Sequence, residues 1–531
     1  MTAAADLVLT NAAVHPLAGP DETHEAVAVR DGAVCRVGSA QEVDFLAGVA
    51  TDVVDLGGRV VLPGFVDAHT HLAMLGRYQV HADLRGADGP DDCVGRLRKH
   101  ADEPMAEAPG DWILGFGFDE SGWAERRYPT REDLDAVSDD RPVAAFREDM
   151  HLASVNSVAL KRLVDAMPAG DVRTDAGEPT GVLVEEAVDV VYRAIEPDRA
   201  ESEALIRAAQ AAANRRGVTM VHDMVRRSHA PAVYRALERA GELTLRVRLN
   251  YWSDHLDALR EVGLATNDGS ALVEVGAIKT YSDGSLGGRT AKLSAPYADG
   301  EATDVQSAAE GAGDPTGQWV VPPEALADLA ARADDAGFQL AVHAIGDAAV
   351  DETLAALAAT DDPGGSRHRV EHAELATDAA IERFAELGVV ASMQPNFHKW
   401  AGEGGLYDQR LGPERRRRTN RLRRFADAGV PLAFGSDNMP LDPLFGVHHA
   451  VNAPAAAQQL SVTEAIRAYT CGSAYAGFDE DRLGTVEVGK RADLVVLDDS
   501  PWSRPDAIDA IEVAMTVVDG TVVYDGRDGA G

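Results

Sequence analysis

Two histidines set two residues apart are where chemistry first shows in this chain. They stand in Asp67-Ala68-His69-Thr70-His71, directly after the apolar run Val60 to Val66. In a β-strand, residues two apart point the same way, so both imidazoles face one side. At the C-terminal end of an inward-facing strand, such a pair can grip one metal ion. Taken alone, it reads equally well as two unrelated histidines at a strand end. Three further groups share the setting. His343 ends the apolar strand Gln339 to Val342, His372 ends Arg369-Val370-Glu371, and Asp437 follows Ala433-Phe434-Gly435-Ser436. A single strand-end histidine is more often a helix cap or a satisfied core group. Five His and Asp residues at the ends of strands one, five, six and eight are hard to produce by chance. Lys279 is the remaining piece, inside Val275-Gly276-Ala277-Ile278-Lys279. A buried lysine must lose its charge or find a partner. One resolution is reaction with CO2 to a carbamate that bridges two metal ions, chemistry closed to arginine. The other is a strand lysine snorkelling to the rim of whatever sheet holds it.

Positioning these residues takes a scaffold that presents strand ends on one face. The strand candidates are Val60 to Val66, Val218 to His222, Leu245 to Tyr251, Val275 to Tyr281, Gln339 to His343, Arg369 to His372, Val389 to Met393 and Pro431 to Phe434. Helical periodicity lies between several of them, as in Glu201 to Arg215, Pro323 to Ala336, Asp378 to Leu387 and Glu414 to Ala428. Eight strands, mostly followed by helices, predict a closed parallel (β/α)8 TIM-like barrel, residues 61–480. An open doubly wound sheet could use the same alternation. About 150 residues separate the first two strands, too many for a loop. Residues 72–217 are therefore expected to be an inserted subdomain, with strands at Trp112 to Phe118 and Pro142 to Phe146. Asp299 to Gln318, acidic and rich in Gly and Ala, reads as a mobile surface loop. Short strands with turns occupy both ends, Asp6 to Leu9, Ala26 to Arg30, Ala33 to Val37 and Asp52 to Asp55, then Ala492 to Leu497, Val513 to Val518 and Thr521 to Tyr524. Neither end has enough strands for independent stability, so residues 1–60 and 481–531 are expected to form one small β-sandwich domain.

The motifs, taken together, resemble the amidohydrolase superfamily. They are Phe65 to His71, Lys279 with Ser282-Asp283-Gly284-Ser285-Leu286-Gly287, Val342-His343-Ala344-Ile345-Gly346-Asp347, Val370-Glu371-His372 and Gly435-Ser436-Asp437. Within it, the chain is similar to the amidohydrolase family 3 group of YtcJ-like metal-dependent hydrolases over nearly its whole length. Pro63-Gly64 enters the barrel and Gly489 to Leu494 leaves it. The resemblance implies that His69, His71, His343, His372 and Asp437 are metal ligands and that Lys279 is the bridging carboxylysine. It implies that Trp123, His151 and Asn156 of the insertion face the substrate, and it allows a homodimer. In Gly115 to Glu120 the family's insertion motif returns, with Phe118 where tryptophan is usual. Relatives often carry Gln-Pro-x-His after strand seven, and this chain reads Gln394-Pro395-Asn396-Phe397-His398. Gln394 is expected at the substrate, in a pocket wall altered by the displaced histidine.

Composition narrows the partners. The formal charge is −37, from 87 acidic against 50 basic residues. Such a field repels nucleic acid and anionic membranes, leaving a small-molecule substrate as the expected partner. Lysine occurs six times among 531 residues. An acid-rich, lysine-poor surface suits solubility in high salt, so a halophilic cytoplasm is expected. No apolar run reaches the length of a membrane span. Met1 to Ala5 lack the basic start of a secretory signal, which points to the cytoplasm. The three cysteines (Cys35, Cys93, Cys471) make no CxxC spacing, so metal must be held by other side chains. The run Arg415 to Arg418, with Arg421, Arg423 and Arg424, reads as a solvated helix face paired with acids rather than an anion site. Gly284 to Gly288 lacks the Gly-Lys-Ser/Thr ending of a phosphate loop.

The function expected from these readings is metal-dependent hydrolysis of a C–N bond, amide-type and non-peptide, by hydroxide generated on one or two divalent ions. Histidine and carboxylate ligands suit zinc, with manganese or iron as alternatives. Asp437 is the expected general base, and His343 or His372 would polarise the substrate carbonyl. Two readings stand beside it: an esterase or lactonase on the same site, and a catalytically silent ligand-binding regulator.

Overall fold

The computed structural model describes residues 4–19, 22–102, 111–148, 152–226, 229–299 and 314–527. Their strands include one eight-stranded parallel sheet running in chain order. Its members are β1 (Phe65–Thr70), β2 (Val218–Val225), β3 (Arg246–Trp252), β4 (Val273–Tyr281), β5 (Leu340–Ala344), β6 (Arg369–His372), β7 (Val390–Met393) and β8 (Leu432–Phe434). Nearly all their residues are buried, as expected of parallel strands covered on both faces. The outer strands are drawn together at their C-terminal ends. The Asp437 amide donates to the His69 carbonyl at 2.8 Å, and the Ser436 amide donates to Asp67 Oδ1 at 2.9 Å. Gly435 makes that approach possible, since a Cβ there would lie 2.4 Å from the His69 nitrogen. The result is a nearly closed TIM-like barrel.

The run expected as one strand, Val60 to Val66, is two. Val60–Pro63 pairs antiparallel with Leu494–Leu497, whereas β1 pairs parallel with β2. The change falls at Gly64: its amide donates to the Asp493 carbonyl at 2.8 Å, and the next amide, Phe65, donates to Gly217 of the barrel at 3.0 Å. A Cβ at Gly64 would sit 2.3 Å from Thr219 Cγ2, so only glycine lets the chain pass from one sheet to the other there.

Both chain ends meet in one sheet of five strands, Ala13–Val14, Val60–Pro63, Leu494–Leu497, Val513–Val518 and Thr521–Asp525. A four-stranded sheet of Leu7–Thr10, Ala26–Arg30, Ala33–Gly38 and Asp52–Asp55 shares a core with it, in which Leu9, Val27, Val61, Val496 and Met515 are buried. Arg246 of β3 ties this region to the barrel, with buried Nε donating to Asp493 at 2.8 Å and Nη2 to Asp519 at 2.8 Å.

The chain divides into two compact units: residues 1–71, 213–226 and 237–531, and residues 72–212 with 227–236. The second contains a six-stranded sheet with Leu152–Val155 and Val143–Arg147 at its centre and Ile113–Phe118 beside the latter, and Phe116 stacks on Phe146 at 4.8 Å. In the first unit, the expected helix Glu414 to Ala428 is broken. Helix Leu406–Arg416 carries Gly412 at φ 76° and Pro413, and helix Leu422–Asp427 follows a turn at Asn420, φ 44°. The Asn420 amide leaves the helical pattern to donate to the Glu374 carbonyl at 2.7 Å. Several arginines of this stretch pair with acids, as Arg421 does with Asp378 at 2.8 Å and Arg423 with Glu464 at 2.7 Å, whereas Arg415 donates to the Ala295 and Pro296 carbonyls. Residues 300–313 of the expected surface loop lie outside the described residues. Among those described, no helix is long and apolar enough to cross a membrane.

Candidate metal centre

Each candidate ligand stands at the C-terminal end of a barrel strand, where this architecture exposes its site. His69 and His71 leave β1, His343 is on β5, His372 ends β6, and Asp437 follows β8. Donor atoms of His69, His372 and Asp437 lie within 4.8 Å of one another. Asp437 Oδ1 is 3.7 Å from His69 Nε2 and 3.3 Å from His71 Nε2. The His343 ring packs on His372 at 4.5 Å between centroids. His372 and Asp437 hold φ values of 71° and 52°, in the left-handed region that side chains rarely adopt. Strained backbone of this kind persists only where the surroundings over-determine it, and here it sits on two of the donors.

Hydrogen bonds behind the rings decide which nitrogen faces inward. His69 Nδ1 donates to Glu371 Oε2 at 2.6 Å, and His372 Nδ1 donates to Gln394 Oε1 at 2.6 Å. Both rings thus turn a bare Nε2 away from those partners. Gln394, expected at the substrate, here orients a histidine. Glu371 is itself fixed by Arg369 Nε, by Arg369 Nη2 at 3.1 Å and by Ser392 Oγ at 2.7 Å. Sequence reasoning assigned Glu371 no role, although its place beside His372 and its charge in a barrel strand mark it. Asp283 is a second such residue. Its carboxylate accepts from the amides of Ile345 at 3.0 Å, Gly346 at 2.8 Å and Lys292 at 2.8 Å, fastening the β4 loop to the β5 loop.

The electrostatics suit a cation. Burial lowers the pKa of the His69, His343 and His372 rings, leaving their lone pairs free near neutral pH. Burial would raise Asp437, but the neighbouring histidines outweigh it and hold the carboxylate ionised. Lys279 is wholly buried, and burial brings its amine down to about 8, with Glu371 and Asp437 pulling the other way. Among the described residues its Nζ has no hydrogen-bond partner, and it lies 4.4 Å from the centroid of the Tyr281 ring. His343 Nε2 faces the Gly284 carbonyl at 2.9 Å, so the neutral ring donates there. That tautomer leaves Nδ1 as a lone-pair donor, the form a ligand takes. It does not offer the spare N–H that polarising a substrate carbonyl would need.

After β7, Phe397 lies parallel to His372 at 6.1 Å, while the displaced His398 is buried against the carbonyls of His449 at 3.1 Å and Asn420 at 3.0 Å. Trp123 and Asn156 belong to the second unit and are engaged inside it. Trp123 is buried near Phe118, its Nε1 donating to the Ala87 carbonyl at 2.6 Å. Asn156 Oδ1 accepts from Val143 and Ala159, each at 3.0 Å, and its Nδ2 donates to Ser138 at 2.9 Å and Arg141 at 2.8 Å. That amide is saturated as a helix cap. His151 lies outside the described residues.

A parallel barrel with histidines and an aspartate gathered at its strand ends defines a class of hydrolases. The chain belongs to the amidohydrolase family, whose model matches residues 52–524. Over 529 residues it is 32% identical to YtcJ of Bacillus subtilis (strain 168), which bears an amidohydrolase name, covering 94% of this chain and 96% of that one. It is 27% identical over 565 residues to N-substituted formamide deformylase of Arthrobacter pascens, covering 99% of each. Among solved structures, it resembles an uncharacterised metal-dependent hydrolase from Pyrococcus furiosus, at 31% identity and TM-score 0.77, over 93% of this chain and 99% of the other.

Proposed function

We propose that this amidohydrolase-family hydrolase cleaves a C–N bond of a small molecule, amide-type and not a peptide bond, with the help of a divalent ion. The observation that carries the reading is the convergence of His69, His372 and Asp437 donors within 4.8 Å, two of them on rings turned by acceptors behind them. The set fits a divalent cation: imidazoles with free lone pairs, an ionised carboxylate and an amine with no hydrogen-bond partner among the described residues. His69, His372 and Asp437 would hold the ion, joined by His71, by His343 through Nδ1 and by Lys279 as a carbamate. Zinc suits the nitrogen and oxygen donors, and manganese or iron would be accepted. The carbamate forms when neutral Nζ adds to the carbon of CO2 and releases a proton, giving the orphaned nitrogen two ligating oxygens. When bound, the ion supplies Lewis acidity that makes water a competent nucleophile near neutral pH.

The rest falls to the chain's own groups. Asp437, ionised and at the strand end, takes the proton of the attacking water and hands it to the departing nitrogen. Glu371 and Gln394 hold His69 and His372 in the orientation this needs. The N-substituted formamide deformylase supports a C–N bond as the target through its name, over 99% of both chains. A panel of N-formyl, N-acyl and cyclic amides with matched esters and lactones, run on zinc- and manganese-loaded protein, tests the reading. Amide turnover that chelation abolishes is expected. Turnover confined to esters would move the assignment to the esterase reading, and protein that binds no divalent ion would overturn it.

A further inference from the structure

His69 stands at one end of a chain of buried groups crossing the barrel interior. Its Nδ1–H meets Glu371 Oε2 at 2.6 Å. Arg369 closes on the same carboxylate through Nε and Nη2, and Ser392 Oγ accepts from Arg369 Nη2 at 3.0 Å while donating to Glu371 at 2.7 Å. Arg369 Nη1 continues to His222 Nδ1 at 2.8 Å, and Nη2 also reaches the Ala68 carbonyl of β1. Glu371, Arg369, Ser392 and His222 are all fully buried. A buried ion pair far from water is a costly way to hold a strand together, because apolar residues of similar volume commonly do as well or better. Its retention directly behind a candidate ligand asks for another use. The contrast with His372 is informative: that ring is backed by a neutral amide, Gln394.

On the reading that the site holds a divalent ion, we infer that Glu371, locked by Arg369 and Ser392, is a positioning residue that sets the affinity of His69 for that ion. It does so in two ways. It fixes the ring as the Nδ1–H tautomer with Nε2 inward, and its negative charge makes the imidazole a stronger donor. Arg369 Nε and Nη2 and Ser392 Oγ hold that carboxylate in place behind His69.

The test is zinc affinity of the full-length protein, measured by competition with a chromophoric chelator, beside the melting curve of the metal-free protein. Glu371→Gln keeps an acceptor for Nδ1–H and removes the charge. It should weaken zinc binding by about 10–100-fold, with activity recovered by excess zinc. Ser392→Ala keeps every charge and loses a hydrogen bond to Glu371, so it should weaken binding by a smaller factor in the same direction. It also carries the test alone should Glu371→Gln fail to fold. Unchanged zinc affinity in the folded variants, even with lowered melting temperature, would make the ion pair merely structural and overturn the inference. A wild-type chain that binds no divalent ion would instead remove the proposed function on which the inference rests.

Discussion

Asp437 is the carboxylate on which the proposed proton transfers turn, and its ionised state is set by the histidines around it. Asp437→Asn keeps an oxygen donor, so with zinc in excess it should leave the fold in place and the site loaded while lowering kcat by about 10²–10⁴-fold, the usual worth of a positioned acid–base group. Metal analysis beside steady-state kinetics checks both halves, and an active asparagine variant would discard the role. Lys279 makes a second, separable claim. Its unpartnered Nζ in a fully buried setting suits a carbamate better than an ammonium ion. Lys279→Ala should be inactive and partly restored by acetate or propionate, whose carboxylates can enter the space vacated. An unmodified lysine in intact-mass spectra recorded under CO2, with no rescue, would leave a hydrolase without the bridge.

Strands and loops bring these residues together mainly where β8 meets β1. There Asp67 and the amides of Ser436 and His69 interlock, and Gly435 passes His69 with no room for a side chain. Gly435→Ala should therefore destabilise the protein by about 1–3 kcal/mol and weaken zinc binding as well, read from the urea midpoint and the chelator competition. The second unit carries a different liability. Burial pushes the His81 imidazole down to about 3 from its ordinary 6.5. Between those values the unfolded chain binds a proton that the folded chain refuses, so this ring's contribution is complete above about 6.5 and shrinks as pH falls. At pH 5 the loss is about 2 kcal/mol. Urea unfolding at pH 7 and pH 5 should show that loss, and His81→Gln should remove about that much of the pH dependence.

At the scale of the whole molecule, the formal charge of −37 dominates. Self-repulsion on that scale is screened over about 10 Å at 0.1 M salt and about 3 Å at 1 M. The expectation of a salt-adapted protein therefore becomes a measurement: the unfolding midpoint should climb from low to molar KCl. A midpoint indifferent to KCl would leave the acidic composition without that explanation.

The candidate ligands could be read from the sequence because each signal is local. An apolar run ending in His or Asp shows both the strand and its exposed end, as at Val342-His343 and Phe434-Gly435-Ser436-Asp437. The barrel order was legible for the same reason, since eight apolar runs alternate with helical periods. What the local pattern could not contain was the identity of partners across the barrel. Glu371 adjoins His372 in sequence yet serves His69, 302 residues away. Gln394 backs His372 from the next strand, and His343 takes its tautomer from Gly284. The run Val60 to Val66 looked like one strand because nothing in its apolarity shows that Gly64 hands it from one sheet to another. Residue type and period depend on near neighbours, and the sequence determined those. Which nitrogen of a ring faces the site depends on the group opposite it, and only the closed barrel decided that.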